Sequence, residues 1–485
     1  MKIARFLLEN IGIKQIILKN TFWLMLAEGI SRFLEFILII YIIRILGVTE
    51  FGKFTFALAF VSMFIVLSDF GLSDIITRDF ARDEKEEKEF PAIFSLKILL
   101  SIGTLLLIAA SSFVIISDPL IRTMMWLLGA SLLFNGFITI LCVFFRARMR
   151  MEYEAWVKIF QAIFLAITGF YIIFNFPSAK NLSYGYLIAS LVVFIFLILF
   201  FSFRIQHLRF IWNRDVWKKF LGRSWPLGFA MIFGSIYLYI DSIMLGFWGQ
   251  IAEVGWYNAA YKITNAPLVV MALISMSFYP ALSKFLKESK ERFQKLWNYQ
   301  METMIILAMP LMAGGMLVAS KIIVFFYGVS FTPSIPVFRL LILVAGINFL
   351  YISYGIALVV FNQQKKHLLI CLITASVNII LNFILIPRYS FYGAGLATLF
   401  SYIVLFVLTI EFSRRFTPIA IFNLKLAKVL AAAAISSIIM FMVIRQPLIY
   451  YGCNFIILFL IGVAVYFIAL LLFYRLLKLH ENSNS

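Results

Sequence analysis

Fourteen apolar runs, each about as long as a bilayer-spanning helix, decide what this chain can fold into. They lie near residues 21–43, 54–75, 91–115, 119–143, 155–175, 182–203, 225–248, 257–279, 301–320, 335–360, 367–387, 391–411, 425–446 and 452–474. A spanning helix needs roughly 17–25 mostly apolar residues. Only Ser117, Asp118 and Pro119 separate the third run from the fourth. The chain is 63% hydrophobic and 13% charged, whereas soluble domains are about 45–50% apolar and about 25% charged. A soluble fold of this composition lacks the polar surface to cover itself. The expected architecture is an all-α membrane protein of about 14 transmembrane helices, which excludes most soluble enzyme classes.

Charge tests this map independently. A formal net charge of +19 would suggest nucleic acid as the partner of a soluble protein. Here the position of each cation matters instead, and no nucleic-acid partner is expected. With the N-terminus in the cytoplasm, about 31 lysines and arginines fall inside, and only Arg44, Lys53, Arg122, Lys180, Lys321, Arg388 and Arg445 fall outside. This positive-inside bias supports an even helix count, an inner-membrane location and two cytoplasmic termini. Residues 1–20 alternate Ile3, Phe6, Leu7 and Ile11 with Lys2, Arg5, Lys14 and Lys19. That is the pattern of an interfacial amphipathic helix rather than a cleaved signal peptide. All outward loops are short, so a catalytic domain has no room there and the chain is expected not to be an enzyme. Cys142, Cys371 and Cys453 lie in or beside apolar runs, and His207, His367 and His480 lie in basic loops or the tail. Neither set has disulfide or metal spacing, and no cofactor is expected.

The chain also repeats itself. Gly47-Val48-Thr49-Glu50-Phe51-Gly52-Lys53 after the first run is echoed by Gly249-Gln250-Ile251-Ala252-Glu253-Val254-Gly255 after the seventh. Tyr184-Gly185-Tyr186-Leu187-Ile188-Ala189-Ser190 is echoed by Tyr392-Gly393-Ala394-Gly395-Leu396-Ala397-Thr398 at a similar offset. The offset equals six runs, an even number, so the two halves share one membrane orientation. Parallel repeats recur in transporters, with the substrate site at the repeat interface. The expected divisions are an interfacial segment 1–20, an N-lobe 21–210, a C-lobe 211–412, and two extra helices with a cytoplasmic tail over 413–485.

LGVTEFGKFTFALAF and SDFGLSDIITRDFARD, between Leu46 and Asp83, resemble the opening of polysaccharide (O-antigen type) flippases. That family belongs to a superfamily shared with multidrug and toxic-compound extrusion proteins and lipid II flippases. PLGFAMIFGSIYLYIDSIMLG, EVGWYNAAYKI, FYPALSKF and NIILNFILIPRYSFYGAGLATLFSYI extend the resemblance over nearly the whole chain. It implies two six-helix lobes in a V around a central cavity, two C-terminal helices, and alternating access. It also implies a cargo, an oligosaccharide repeat unit on a polyprenyl diphosphate, and a link to glycan polymerase machinery. The arginine–aspartate cluster that lipid II flippases carry early in the first span is absent, which counts against that cargo.

A glycan diphosphate brings roughly two negative charges across about 30 Å of hydrocarbon. Charges inside the runs are therefore informative, since each costs roughly 2.5–3.5 kcal/mol at a helix centre. Glu28, Arg32 and Glu35 are spaced four and three, on one helical face. Either Glu28 and Arg32 satisfy each other, or Arg32 contacts phosphate or sugar while Glu28 and Glu35 carry a coupling proton or sodium. Asp241, one turn after Tyr237 in the seventh run, is either a third coupling carboxylate beside a substrate-contacting tyrosine or a structural hydrogen-bonding group. Its segment resembles the tyrosine-rich, aspartate-containing stretch of the family. Lys97, Lys262 and Arg339 are the other candidate substrate cations, although Lys97 and Arg339 sit near run ends and could snorkel. Asp69, Asp74 and Arg78 suggest a cytoplasmic gate or a structural ion-pair cluster.

Pro267 and Pro310 are expected to free the carbonyls of Ile263 and Ile306, with Thr264 and Asn265 re-satisfying part of the first break. The charged run from Asp83 to Glu89 reads as a solvated loop without a role. Two other functions compete. Ion-coupled extrusion of amphipathic cations is disfavoured by Arg32, Lys97 and Arg339 in one cavity, which would repel such cargo. A glycan polymerase or ligase would need outer catalytic loops that this chain lacks.

Overall fold

The computed structural model describes residues 13–205, 207–417, 419 and 424–482; most of the interfacial segment expected over 1–20 lies outside them. Among the described residues the protein is all-helical. The first half comprises α1 (Ile13–Asp69), α2 (Leu72–Arg82), α3 (Phe90–Ile115), α4 (Pro119–Ala147), α5 (Met151–Asn175), α6 (Ala179–Arg204) and α7 (Arg214–Phe247). The second comprises α8 (Ile251–Asn265), α9 (Leu268–Glu288), α10 (Lys290–Tyr327), α11 (Ser334–Val360), α12 (Gln364–Phe416), α13 (Leu424–Arg445), α14 (Pro447–Gly452) and α15 (Phe455–Asn482).

Twelve segments among the described residues are long and apolar enough to cross a membrane. The first and second apolar runs lie on either side of a kink in α1, and the eleventh and twelfth on either side of a kink in α12, so twelve segments carry the fourteen runs. α1 and α12 have 57 and 53 residues, and each is two helices joined across a kink. Each is interrupted by one non-helical residue, Gly47 (φ 73°, ψ −179°) in α1 and Ser390 (φ 54°, ψ −140°) in α12. Between the third and fourth runs the chain does break: Asp118 accepts from the Leu120 amide at 2.8 Å and Pro119 opens α4.

The chain divides into two compact units at Gly246/Phe247. In the first, Phe90, Phe144 and Phe201 form a ring triangle with centroids 5.3–5.6 Å apart. Helix α7 joins this unit through Trp217, whose indole donates to the Ala92 carbonyl at 2.7 Å. The contact boundary thus lies one span beyond the repeat boundary at 210/211. In the second unit, Trp297 donates to the Ser353 carbonyl at 3.1 Å and Tyr466 to the Ile306 carbonyl at 2.8 Å. Tyr466 thus takes up the carbonyl that Pro310 was expected to free, and α10 runs through Pro310 unbroken. Ala432, Ala433, Ser436 and Ser437 on α13 are buried. In lipid, where apolar burial drives little, such small residues let helices approach closely enough to gain dispersion energy.

The two echoed motifs each open on a glycine of positive φ. Gly47 and Gly249 both adopt φ 73°. Just after Gly47, Glu50 accepts from the Ala179 amide at the start of α6 at 3.1 Å. Just after Gly249, Gln250 accepts from the Ser390 hydroxyl at 2.7 Å. At Pro267 the expected rescue differs: the Ala266 amide takes up the Ile263 carbonyl at 3.1 Å, while Thr264 turns back to the Ala260 and Tyr261 carbonyls. Gly47 sits in backbone space that is essentially reserved for glycine, and open space surrounds its missing Cβ. Gly47→Ala is therefore expected to cost about 1–3 kcal/mol through backbone strain alone, read as a lower thermal midpoint in detergent; an unchanged midpoint would refute this.

Candidate functional site

The polar groups of the first unit gather in three places. The largest follows the N-terminal half of α1 against α5. Arg32 donates to Glu28 at 2.7 Å, and Lys158 lies 4.0 Å from the same carboxylate. Lys158 is also 3.4 Å from Glu154, which in turn holds Arg146 of α4 through bonds of 3.0 and 2.6 Å. The result is a ladder of alternating sign, with Arg32, Glu28, Lys158, Glu154 and Arg146 in order. Its base is buried, with the Glu154 side chain 2% exposed, and its head is open, with Arg32 55% exposed.

Beyond the ladder, Gln161 donates to Asn135 at 2.8 Å, and the Ser31 hydroxyl donates to the Lys158 carbonyl at 3.4 Å. Glu28, Ser31, Glu35, Lys158 and Gln161 line a cleft between α1 and α5. Glu28 to Glu35 covers about 10 Å of helix axis, so the polar stripe reaches well into the apolar length of α1. Carboxylates and amides suit sugar hydroxyls, and Arg32 and Lys158 suit phosphate oxygens. Of the residues expected from sequence, Glu28 and Glu35 line the α1 side of this cleft and Arg32 lies beside it, while the α5 side was not foreseen. The missed signal is that Glu154, Lys158 and Gln161 repeat the four-and-three spacing of Glu28, Arg32 and Glu35.

The second place is a buried pair. Lys97 has no exposed side chain and lies 3.0 Å from Asp69, which also accepts from the Ser73 hydroxyl at 2.7 Å. Lys97 therefore does not snorkel, and Asp69 sits with Lys97 rather than with Arg78.

The third place joins α2, the 3-10 segment Glu84–Glu89 and the start of α7. Asp79 accepts from Arg78 at 2.8 Å and from Arg223 at 2.7 Å. Arg223 lies 3.3 Å from Glu86, and Lys219 binds Glu86 and Glu89 at 3.1 and 3.0 Å. Arg148 binds Glu87 at 2.6 Å. The run from Asp83 to Glu89 is thus a docking element rather than a solvated loop; the cations just after α4 and at the start of α7 were the available clue. Asp74 is exposed one turn before Arg78.

Asp241 is buried on α7, with Tyr237 half-buried one turn before it. In the second unit Lys262 is half-buried and Arg339 exposed, and among the described residues neither has a carboxylate within ion-pair distance. That unit also holds a nearly all-apolar groove of about 1050 Å³ whose lining includes Leu307, Leu311, Ile342, Met440, Phe459 and Phe467. Among the described residues no cluster of three or more metal-ligating side chains occurs.

The family model described as a polysaccharide biosynthesis protein matches residues 17–286, more than half of the chain. The chain is 24% identical to a probable flippase, AglR, of Haloferax volcanii, covering 77% of this chain and 79% of the relative. It is 23% identical to the capsular polysaccharide biosynthesis protein CapF of Staphylococcus aureus, covering 82% and 99%. Its fold is similar to that of the lipid II flippase MurJ in an inward closed conformation, with TM-score 0.76, 19% identity, and 94% and 99% coverage. It is also similar to an inward-facing multidrug resistance transporter of the MATE family, with TM-score 0.63, 14% identity, and 79% and 96% coverage.

Proposed function

Because this chain belongs to the polysaccharide biosynthesis protein family, we propose that it flips a lipid-linked glycan, carried on a polyprenyl diphosphate, from the cytoplasmic to the outer leaflet. The observation that carries this reading is the cleft between α1 and α5, lined by Glu28, Glu35, Lys158 and Gln161, with Arg32 bonded to Glu28 beside it. A diphosphate entering the cleft competes with Glu28 for both cations, while Glu35 and Gln161 meet sugar hydroxyls. Lys262 and Arg339 offer further unpaired cations, and Tyr237 a hydroxyl. No bond is made or broken, so the protein acts as a carrier and not an enzyme, in an inner membrane with both termini cytoplasmic. The glycan polymerase that consumes the flipped unit is its natural partner.

Access alternates between the two sides, and we assign the gate to Asp74, Arg78 and the Asp79–Arg223–Glu86–Lys219 cluster. Asp69 is tied to Lys97 beneath it. Coupling is assigned to Glu28, Glu35 and Asp241, by proton or sodium.

The test is translocation of a fluorescent polyprenyl-diphosphate oligosaccharide in proteoliposomes, read by protection from a membrane-impermeant quencher. Flipping of this probe, with no transport of an amphipathic cation, is expected. Transport of the cation with the glycan probe left in place would favour drug extrusion instead. Rates indifferent to both proton and sodium gradients would remove the coupling assignment.

A further inference from the structure

The segment between α6 and α7 exposes aromatic side chains beside unpaired cations. Phe210, Ile211 and Trp212 are 57%, 42% and 59% exposed. They are held outward rather than collapsed. The Ile211 amide donates to the Ser95 hydroxyl at 2.9 Å, and Trp212 packs edge-on against the buried Trp217 at 4.6 Å. Trp217 is in turn pinned to the Ala92 carbonyl. Around this ridge Arg204, Arg209, Arg214 and Lys218 are exposed, and among the described residues none has a carboxylate partner. Arg214 and Lys218 occupy the first turns of α7, where the helix dipole disfavours positive charge. Only Asp215 offsets them there. A sequence that sets cations against the dipole calls for an anionic surface outside the protein.

We propose that this ridge is a docking surface for anionic lipid headgroups of the cytoplasmic leaflet, with Phe210, Ile211 and Trp212 entering the interface and the four cations above them. Tryptophan is favoured at that depth, and each nearby cation adds attraction to an anionic leaflet. The surface is separate from the α1–α5 cleft and tethers the connection between the two sequence repeats to the membrane.

The test uses the full chain with Cys142, Cys371 and Cys453 replaced by serine and Trp212→Cys carrying a bimane label, in proteoliposomes. Brominated phosphatidylglycerol is expected to quench the label at least about twofold more than brominated phosphatidylcholine at equal mole fraction. The preference should vanish in Arg209→Glu/Arg214→Glu, while that variant keeps its size-exclusion profile. Quenching by aqueous iodide with none by lipid would show the ridge in water or against a protein and overturn the proposal. Equal quenching by the two lipids, or a preference that survives charge reversal, would overturn it as well.

Discussion

Lys97→Met alone is expected to destabilise the protein by about 3–5 kcal/mol, the cost of leaving one member of a buried ion pair uncompensated. Lys97 is fully buried and its ammonium lies 3.0 Å from Asp69. A Cβ added at Gly136 would come within 3.2 Å of the same ammonium, so the lysine has little room to turn elsewhere. Asp69→Leu should be comparably harmful. Lys97→Met combined with Asp69→Leu should recover much of the loss, because it removes both charges and leaves a greasy contact. A double-mutant cycle on thermal midpoints in detergent measures this coupling. Additive single effects would show that the pair is not a unit. Transport by the double variant locates Lys97 functionally: retained flipping is expected, which would make this pair structural and take Lys97 out of the substrate path.

The second large effect belongs to the cleft. Arg32→Ala and Lys158→Ala each remove a charge-assisted contact to phosphate worth about 1.5–3 kcal/mol, so each is expected to weaken glycan-lipid binding by about tenfold to a hundredfold. The double variant should abolish detectable flipping. Folding of Arg32→Ala should be nearly untouched, because exposed ion pairs are worth about 0–1 kcal/mol and the Arg32 side chain is 55% exposed, whereas Lys158→Ala also takes one cation from the buried Glu154, which keeps Arg146. Glu28→Gln should act in the opposite direction on binding. It frees both cations from their competitor, so affinity for the diphosphate is expected to rise while the response to a proton gradient falls. Binding by labelled lipid titration and transport in liposomes read the two effects separately.

The all-helical membrane architecture was legible because hydrophobic run length alone carries it. Of the echoed motifs, Gly47 and Gly249 share a φ of 73°, while the hydrogen bonds beside them differ, a backbone amide on Glu50 and a side-chain hydroxyl on Gln250. How neighbouring runs join was less legible. Gly47 and Ser390 each bend the chain within one or two residues, and helical hydrogen bonding resumes at once, which hydropathy does not register. At the site, the α1 face was readable from Glu28, Arg32 and Glu35, since charges in an apolar run stand out. Lys158 and Glu154 did not stand out because they lie near the start of α5, where the positive-inside pattern absorbs a lysine and a solvated end absorbs a glutamate. The same masking hid Glu86 and Glu89. In a run of seven charged residues nothing local says which carboxylates will meet Lys219 and Arg223, more than a hundred residues away.

Whether the cleft between α1 and α5 receives the cargo is tested most directly by site-specific photocrosslinking during transport. A photoreactive residue at Gln161 should capture the polyprenyl-diphosphate oligosaccharide, and excess unlabelled glycan lipid should suppress the product. The same residue at Ile167, on the exposed apolar face of α5, should capture only bulk phospholipid. Active flipping with no glycan adduct at Gln161, or with equal adducts at both positions, would contradict the account.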